Sequence, residues 1–103
     1  MDTNKLTEEL EKVSQKYTEV FKVKRNGDWY ILKLQEELGE LIQSYLMMIG
    51  QARPKGKTPE QMREEFNKEV ADVFCHTLLL AKFHNVDLEK EVREKWLVWN
   101  KEE

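Results

Sequence analysis

The chain has 103 residues, a net charge of −3 at pH 7 and a charged fraction of 36%, and its length predicts one domain spanning residues 1–103. With 20 acidic against 17 basic residues, it has no basic excess to attract nucleic acid, so we expect no nucleic-acid partner. No apolar run approaches the roughly 20 residues of a membrane span, and the lone cysteine, Cys75, favours a reducing compartment, which we expect to be the cytoplasm.

Apolar residues recur at steps of three and four along the first segment, which predicts an amphipathic helix from Thr3 to Val23. This stripe consists of Leu6, Leu10, Val13, Tyr17 and Val20. Asn26-Gly27 is a turn signal, and Asp28 is the predicted N-cap of a second helix from Trp29 to Ile49. Gly50 is expected at the C-terminal cap of that helix.

A capping-box pattern, Thr58-Pro59-Glu60-Gln61, predicts the start of a third helix that runs to Phe83. Asp87 is expected to cap a fourth helix from Leu88 to Asn100, with Val92, Trp96 and Trp99 on its apolar side. Four helices joined by short loops predict an all-α fold, a compact bundle of about four helices.

Four carboxylates stand out within these helices, Glu37 and Glu40 on the second, Glu69 and Asp72 on the third. Spacing of i, i+3 places each pair on one helix face, among apolar neighbours at the margin of the core-facing stripe. Repulsion and partial burial penalise such a group, and a bound cation offsets the penalty. Carboxylate oxygens suit Mg²⁺, with Mn²⁺ as an alternative. A chance pattern of solvated acids remains the competing interpretation.

At these residues the chain resembles the MazG-like family of all-α nucleoside triphosphate pyrophosphatases. The family's motif is EExxE followed, after a variable stretch, by ExxD. Glu36-Glu37-Leu38-Gly39-Glu40 matches the first part and Glu69-Val70-Ala71-Asp72 matches the second. A further similarity is Val86-Asp87-Leu88 with Lys95-Trp96, so the likeness covers roughly Trp29 to Asn100.

The resemblance implies an enzyme that hydrolyses a nucleoside triphosphate, often a noncanonical or deoxy one, to the monophosphate and pyrophosphate, with Mg²⁺ and a water that attacks the α-phosphate. It makes Glu37, Glu40, Glu69 and Asp72 the metal ligands, and Glu36 either a group that supports those ligands or the candidate general base. Phosphoryl transfer of this kind needs charge neutralisation and a positioned water, and no covalent nucleophile.

Binding such a substrate also requires aromatic side chains that stack on the base and cationic side chains that pair with the phosphates. The candidate substrate-binding residues are Trp29, Lys33, His76, Lys95, Trp96 and Asn100. Core packing competes as an explanation for the tryptophans, a structural role for His76, and solvation for Lys33. The family commonly has Asn one turn after the last-helix Lys, whereas this chain has Trp99 there and Asn100 next, which leaves the nucleobase preference open.

Two further hypotheses compete with the pyrophosphatase. A carboxylate-bridged di-iron bundle is disfavoured, because such bundles use Glu-x-x-His and neither histidine here completes that motif. A non-enzymatic helical interaction module would use the amphipathic first helix as its docking face. The apolar stripe of that helix and the shortness of the chain also predict a homo-oligomer, a dimer at least.

Overall fold

The structure is a computed structural model that describes residues 2–100. The all-α prediction is confirmed, because the described part of the chain contains four α-helices and no strand. No helix in this range has both the length and the apolar character needed to cross a bilayer. The elements are α1 Thr3–Val20, α2 Gly27–Met48, α3 Pro59–Phe83, α4 Leu88–Lys95 and a 3₁₀ helix, Leu97–Asn100.

Side-chain caps start all four helices, and one of them differs from the prediction. Asn26, rather than Asp28, caps α2, because its side chain accepts a hydrogen bond from the Trp29 backbone N–H at 2.9 Å. The helix therefore begins at Gly27, and Asp28 lies in its first turn, where a negative charge favours the helix dipole. The predicted capping box at Thr58 and the predicted cap at Asp87 are confirmed.

The first three helices end in the same way, with one residue in the left-handed region. These residues are Lys22, Gly50 and Asn85, with φ of 54°, 80° and 56°. After each, a backbone N–H reaches back five residues, as from Val23 to the carbonyl of Thr18 at 2.9 Å, which is the Schellman arrangement. Helix α1 consequently stops at Val20, three residues before the predicted end.

Helices α2 and α3 form the central pair of the molecule, and α1 packs on α3. The pair is antiparallel, since Tyr30 near the start of α2 stacks on Phe83 at the end of α3, with ring centroids 4.5 Å apart. At the other end, Tyr45 lies 6.1 Å from Phe66. The buried apolar side chains are Tyr30, Met47, Leu78, Leu79 and Ala81.

The single chain is extended, which corrects the expectation of a compact bundle. Its radius of gyration is 16.7 Å, whereas a compact domain of this length has about 13 Å. The cause is the C-terminal segment, because α4 packs mainly on the 3₁₀ helix and buries none of its residues. Trp96 and Trp99, predicted on an apolar packing side, are 68% and 86% exposed.

Several apolar side chains expected in the core lie at the surface instead. On α1, the buried positions are the polar Ser14 and Thr18, and three members of the predicted stripe are exposed. On α3, Val70 and Phe74 are exposed as well. An apolar stripe predicts that a helix buries one face against something, but the partner need not belong to the same chain.

An ion pair holds α1 in place. The Arg25 guanidinium donates to both carboxylate oxygens of Glu11, at 2.7 and 2.8 Å, and to the Ser14 hydroxyl at 3.1 Å. The same guanidinium lies 5.6 Å from the centre of the Tyr30 ring. Its hydrogen bonds keep the pKa of Glu11 below its usual value. Arg25 thus links α1 to the first turn of α2.

We expect Glu11→Gln to lower the free energy of unfolding by about 2 kcal/mol, because a two-pronged, largely buried, charge-assisted contact is lost. Urea unfolding at pH 7, followed by circular dichroism, measures the change. Glu9→Gln is the matched control, since Glu9 is exposed on the same helix. Equal stability of the two variants would show that the ion pair contributes nothing.

Candidate metal centre

Three carboxylates converge where α2 faces α3. Glu37 and Glu40 of α2 and Glu69 of α3 each offer an oxygen, and these oxygens lie within 4.8 Å of one another. The i, i+3 spacing and the antiparallel pairing together produce this acidic cluster. Asp72, the fourth predicted ligand, contributes no oxygen to it, although its negative charge raises the pKa of both Glu37 and Glu69.

Glu37 is the most deeply buried member of the acidic cluster, with 7% of the residue exposed. Burial raises its pKa to about 7, and the charge of Glu40 adds to the shift. Burial is also the main reason that the pKa of Glu69 is raised. One oxygen of each, Glu37 Oε2 and Glu69 Oε2, is buried and finds no hydrogen-bond partner among residues 2–100.

The two buried oxygens without a hydrogen-bond partner indicate whether a metal ion suits the acidic cluster. A buried carboxylate without a donor costs a substantial part of its hydration free energy, so the group needs either a proton or a cation. The available donors are all carboxylate oxygens, which match hard ions such as Mg²⁺ and Mn²⁺ better than Zn²⁺, with its preference for nitrogen and sulfur. The donor set therefore fits the predicted ion.

Glu36, the candidate general base, lies beside the acidic cluster but points to solvent. Lys33 donates a hydrogen bond to its carboxylate at 2.8 Å, and this contact lowers the pKa of Glu36. In this arrangement Glu36 is ionised and exposed. The hydrogen bond to Glu36 raises the pKa of Lys33, and the negative charge of Glu37 raises it further. Both predicted residues thus lie on the site's side of α2.

His76 and Trp29 meet next to the buried carboxylate. His76 Nε2 lies 3.7 Å from Glu37 Oε1, and its ring makes an edge contact with Trp29, with centroids 6.4 Å apart. Burial lowers the pKa of His76, so the neutral ring is favoured at pH 7. The structure therefore brings together two of the predicted substrate-binding residues and the most buried carboxylate.

The loop before α3 places a cation, Lys57, beside the acidic cluster. Lys57 donates to Glu65 at 2.6 Å, and both line a recess together with Glu40 and Glu69. Glu65 was not among the predicted site residues. Its position four residues before Glu69 was the available signal, because that spacing places both on one helix face.

The predicted substrate-binding residues of the C-terminal segment lie apart from the acidic cluster. Lys95, Trp96 and Asn100 are exposed, and no hydrogen bond or ion pair found within residues 2–100 joins them to the carboxylates. The reason is the packing of α4 on the 3₁₀ helix rather than on α2. Their roles stay predictions.

Gly39 and Cys75 lie close in sequence to the carboxylates of the acidic cluster. A Cβ placed on Gly39 would meet nothing within 4 Å, so close packing inside the chain does not explain this glycine. Burial and the charge of Asp72 raise the pKa of the Cys75 thiol, which disfavours a thiolate nucleophile.

Comparison of the sequence and structure with protein-family models, curated proteins and solved structures gives no match.

Proposed function

We propose that this protein is a Mg²⁺-dependent nucleoside triphosphate pyrophosphohydrolase that releases a nucleoside monophosphate and pyrophosphate, with a housekeeping role in the nucleotide pool. The observation that carries the proposal is the pair of buried, unpartnered oxygens on Glu37 and Glu69 within a three-carboxylate cluster. The sequence resemblance, which rests on the same carboxylates, supplies the reaction class.

In this proposal Glu37, Glu40 and Glu69 hold the ion, and Asp72 joins them or orients a bound water. Mg²⁺, or Mn²⁺ in its place, would neutralise the phosphate charge that otherwise disfavours attack by the electron pair of a nucleophile. Binding the ion also offsets the mutual repulsion of the carboxylates, so substrate and metal are expected to bind together.

The residues around the acidic cluster are assigned to the substrate. Ionised Glu36 accepts a proton from the attacking water as the general base, and Lys33 places positive charge beside the phosphates. Trp29 and neutral His76 offer an aromatic edge for the nucleobase. Lys95, Trp96 and Asn100 are proposed as contacts that the C-terminal segment supplies from outside the α2–α3 pair.

The proposal includes a homo-oligomer in the cytoplasm. The extended shape and the exposed apolar side chains of the single chain support self-association. The lone cysteine, Cys75, cannot form a disulfide within the chain, which suits a reducing compartment.

The deciding experiment measures pyrophosphate release from canonical and modified ribo- and deoxyribonucleoside triphosphates, with Mg²⁺ and with EDTA. Magnesium-dependent release of pyrophosphate, with the monophosphate as the second product, supports the proposal and ranks the bases. Inorganic phosphate as the product would contradict it, because cleavage would then occur at the γ-phosphate. Silence across the panel, with no Mg²⁺-dependent thermal shift, favours the helical interaction module.

A further inference from the structure

A recess of about 230 Å³ lies between the acidic cluster and the loop that joins α2 to α3. We call it the loop recess. Glu40 and Glu69 of the cluster line it, and so do two lysines of the loop, Lys55 and Lys57. No aromatic side chain of residues 2–100 lines it, so it offers no surface on which a nucleobase stacks. Two ammonium groups beside a candidate metal centre instead match a chain of phosphates.

The loop turns sharply at these lysines. Lys55 and Gly56 both have positive φ, 52° and 78°, and the Lys57 N–H donates to the Pro54 carbonyl at 3.0 Å. Positive φ at both central residues is the pattern of a type I′ turn, which favours glycine, asparagine or aspartate, so a lysine there carries a backbone cost. Strain of this kind concentrates at ligand-binding positions, and here it brings two lysines to one recess.

Glu65 holds Lys57 in the free protein. Its carboxylate accepts a hydrogen bond from the Lys57 ammonium at 2.6 Å, and the two side chains are 38% and 35% exposed. A carboxylate and a phosphate both offer an ammonium group negatively charged oxygens. Glu65 also lies one turn before Glu69, where its charge adds to the repulsion among the carboxylates. Glu65 therefore occupies the place beside Lys57 that a phosphate oxygen would take.

The acidic cluster lies between the loop recess and the aromatic pair of Trp29 and His76. On α2, Trp29 comes about two turns before Glu37. On the antiparallel α3, His76 comes about two turns after Glu69, whereas Glu65 comes one turn before it. A nucleoside triphosphate has the same linear order, with the base at one end, the α-phosphate in the middle and the β- and γ-phosphates at the other end.

We propose that the loop recess binds the β- and γ-phosphates of the substrate, and that Lys57 leaves Glu65 to pair with them together with Lys55. This inference rests on the proposed function and deepens it, because it gives the substrate a direction. The base lies toward Trp29 and His76, and the phosphate tail lies toward the loop. The lysines then make the site selective for triphosphates, since a monophosphate places nothing in the recess.

The position of Lys57 also suits the leaving group. As the attacking water forms its bond to the α-phosphorus and gives its proton to Glu36, the bond from the α-phosphorus to the bridging oxygen breaks. The electron pair of that bond leaves with the pyrophosphate. Negative charge therefore develops on the side of the α-phosphate that faces the loop recess, where the Lys57 ammonium stabilises it.

Calorimetric titration with magnesium pyrophosphate, at a fixed concentration of free Mg²⁺, tests the recess without turnover. Lys57→Gln should raise the Kd at least about tenfold, because a charge-assisted contact is lost. Lys12→Gln is the matched control, since it removes the same charge from an exposed position on α1, and it should bind as the wild type does. Equal Kd values for Lys57→Gln and the wild type, or no binding by the wild type, would overturn the proposal.

Glu65→Gln should change the same Kd in the opposite direction. The variant removes the carboxylate that competes for Lys57, so magnesium pyrophosphate should bind about threefold more tightly. An ion pair with only a structural role would give no such opposition, because loss of either partner would act alike. A Kd for Glu65→Gln that equals or exceeds the wild-type value would refute the exchange of Glu65 for phosphate.

Hydrolysis separates this inference from the proposed function. With the triphosphate that the wild type cleaves fastest, Lys57→Gln should lower kcat/KM at least about tenfold, while inhibition by the monophosphate product stays unchanged. A wild type that releases no pyrophosphate from any triphosphate would overturn both proposals. A wild type that hydrolyses triphosphates, beside a Lys57→Gln variant with the same kcat/KM, would leave the proposed function standing and overturn this inference alone.

Discussion

Replacing Glu37 with glutamine is expected to abolish magnesium-dependent turnover while leaving the metal-free protein folded and more stable at neutral pH. The amide cannot act as an anionic ligand, and it removes the carboxylate that burial and the charge of Glu40 disfavour. Loss of a group that merely supports a metal ligand costs 10–100-fold. We therefore expect a loss of at least about 100-fold in kcat/KM from removing a direct ligand.

Pyrophosphate release at saturating substrate, together with a Mg²⁺ titration followed by thermal shift, measures both effects. Glu40→Gln should behave similarly, since its carboxylate belongs to the same cluster. Glu9→Gln is the control, because Glu9 lies on α1 and is exposed. If Glu37→Gln keeps wild-type activity, or if it keeps the Mg²⁺-dependent rise in Tm, the assignment of Glu37 as a ligand is wrong.

The second large effect concerns pH. In the metal-free protein the pKa of Glu37 is raised from 4.5 to about 7, so the folded state holds this proton more tightly than the unfolded chain does. The resulting stability is fully present below about pH 4.5 and is lost as the pH rises through 7. At 1.36 kcal/mol per pKa unit, the loss is about 3 kcal/mol.

Urea unfolding of the wild type and of Glu37→Gln in EDTA, from pH 4.5 to 8, isolates this effect. The comparison with Glu37→Gln is needed because burial lowers the pKa of His76. The stability that neutral His76 contributes is lost as the pH falls, which is opposite to the pH dependence expected from Glu37. The wild type should lose stability relative to Glu37→Gln as the pH rises, and Mg²⁺ should reverse that loss. A constant difference across the range would contradict the raised pKa.

Local signals in the sequence predicted most of the helix termini. The capping box at Thr58 and the cap at Asp87 are short-range patterns that need no tertiary contact, and the structure has both. The choice of Asn26 over Asp28 shows the limit of such patterns, since two residues only two positions apart can cap and the backbone that follows decides between them.

The pairing of carboxylates within each helix was equally readable, because i, i+3 spacing fixes which side chains share a face. The convergence of Glu37 and Glu40 with Glu69 depends on how α2 packs on α3, and so does the burial that raises the pKa of Glu37. Spacing alone predicted Asp72 as a metal ligand equivalent to Glu37, Glu40 and Glu69, although its carboxylate lies outside the acidic cluster that those three form.

The helical class, most helix termini to within a few residues and the acidic pairs follow from local sequence patterns, since each depends on interactions between residues a few positions apart. Which apolar stripe is covered depends on the packing of the helices on one another. Helix α1 buries Ser14 and Thr18 while much of its apolar stripe stays exposed, and α4 extends away with Trp96 and Trp99 in solvent. An apolar stripe predicts that one face of a helix packs against another surface. Which surface covers that face depends on contacts between distant residues or between chains.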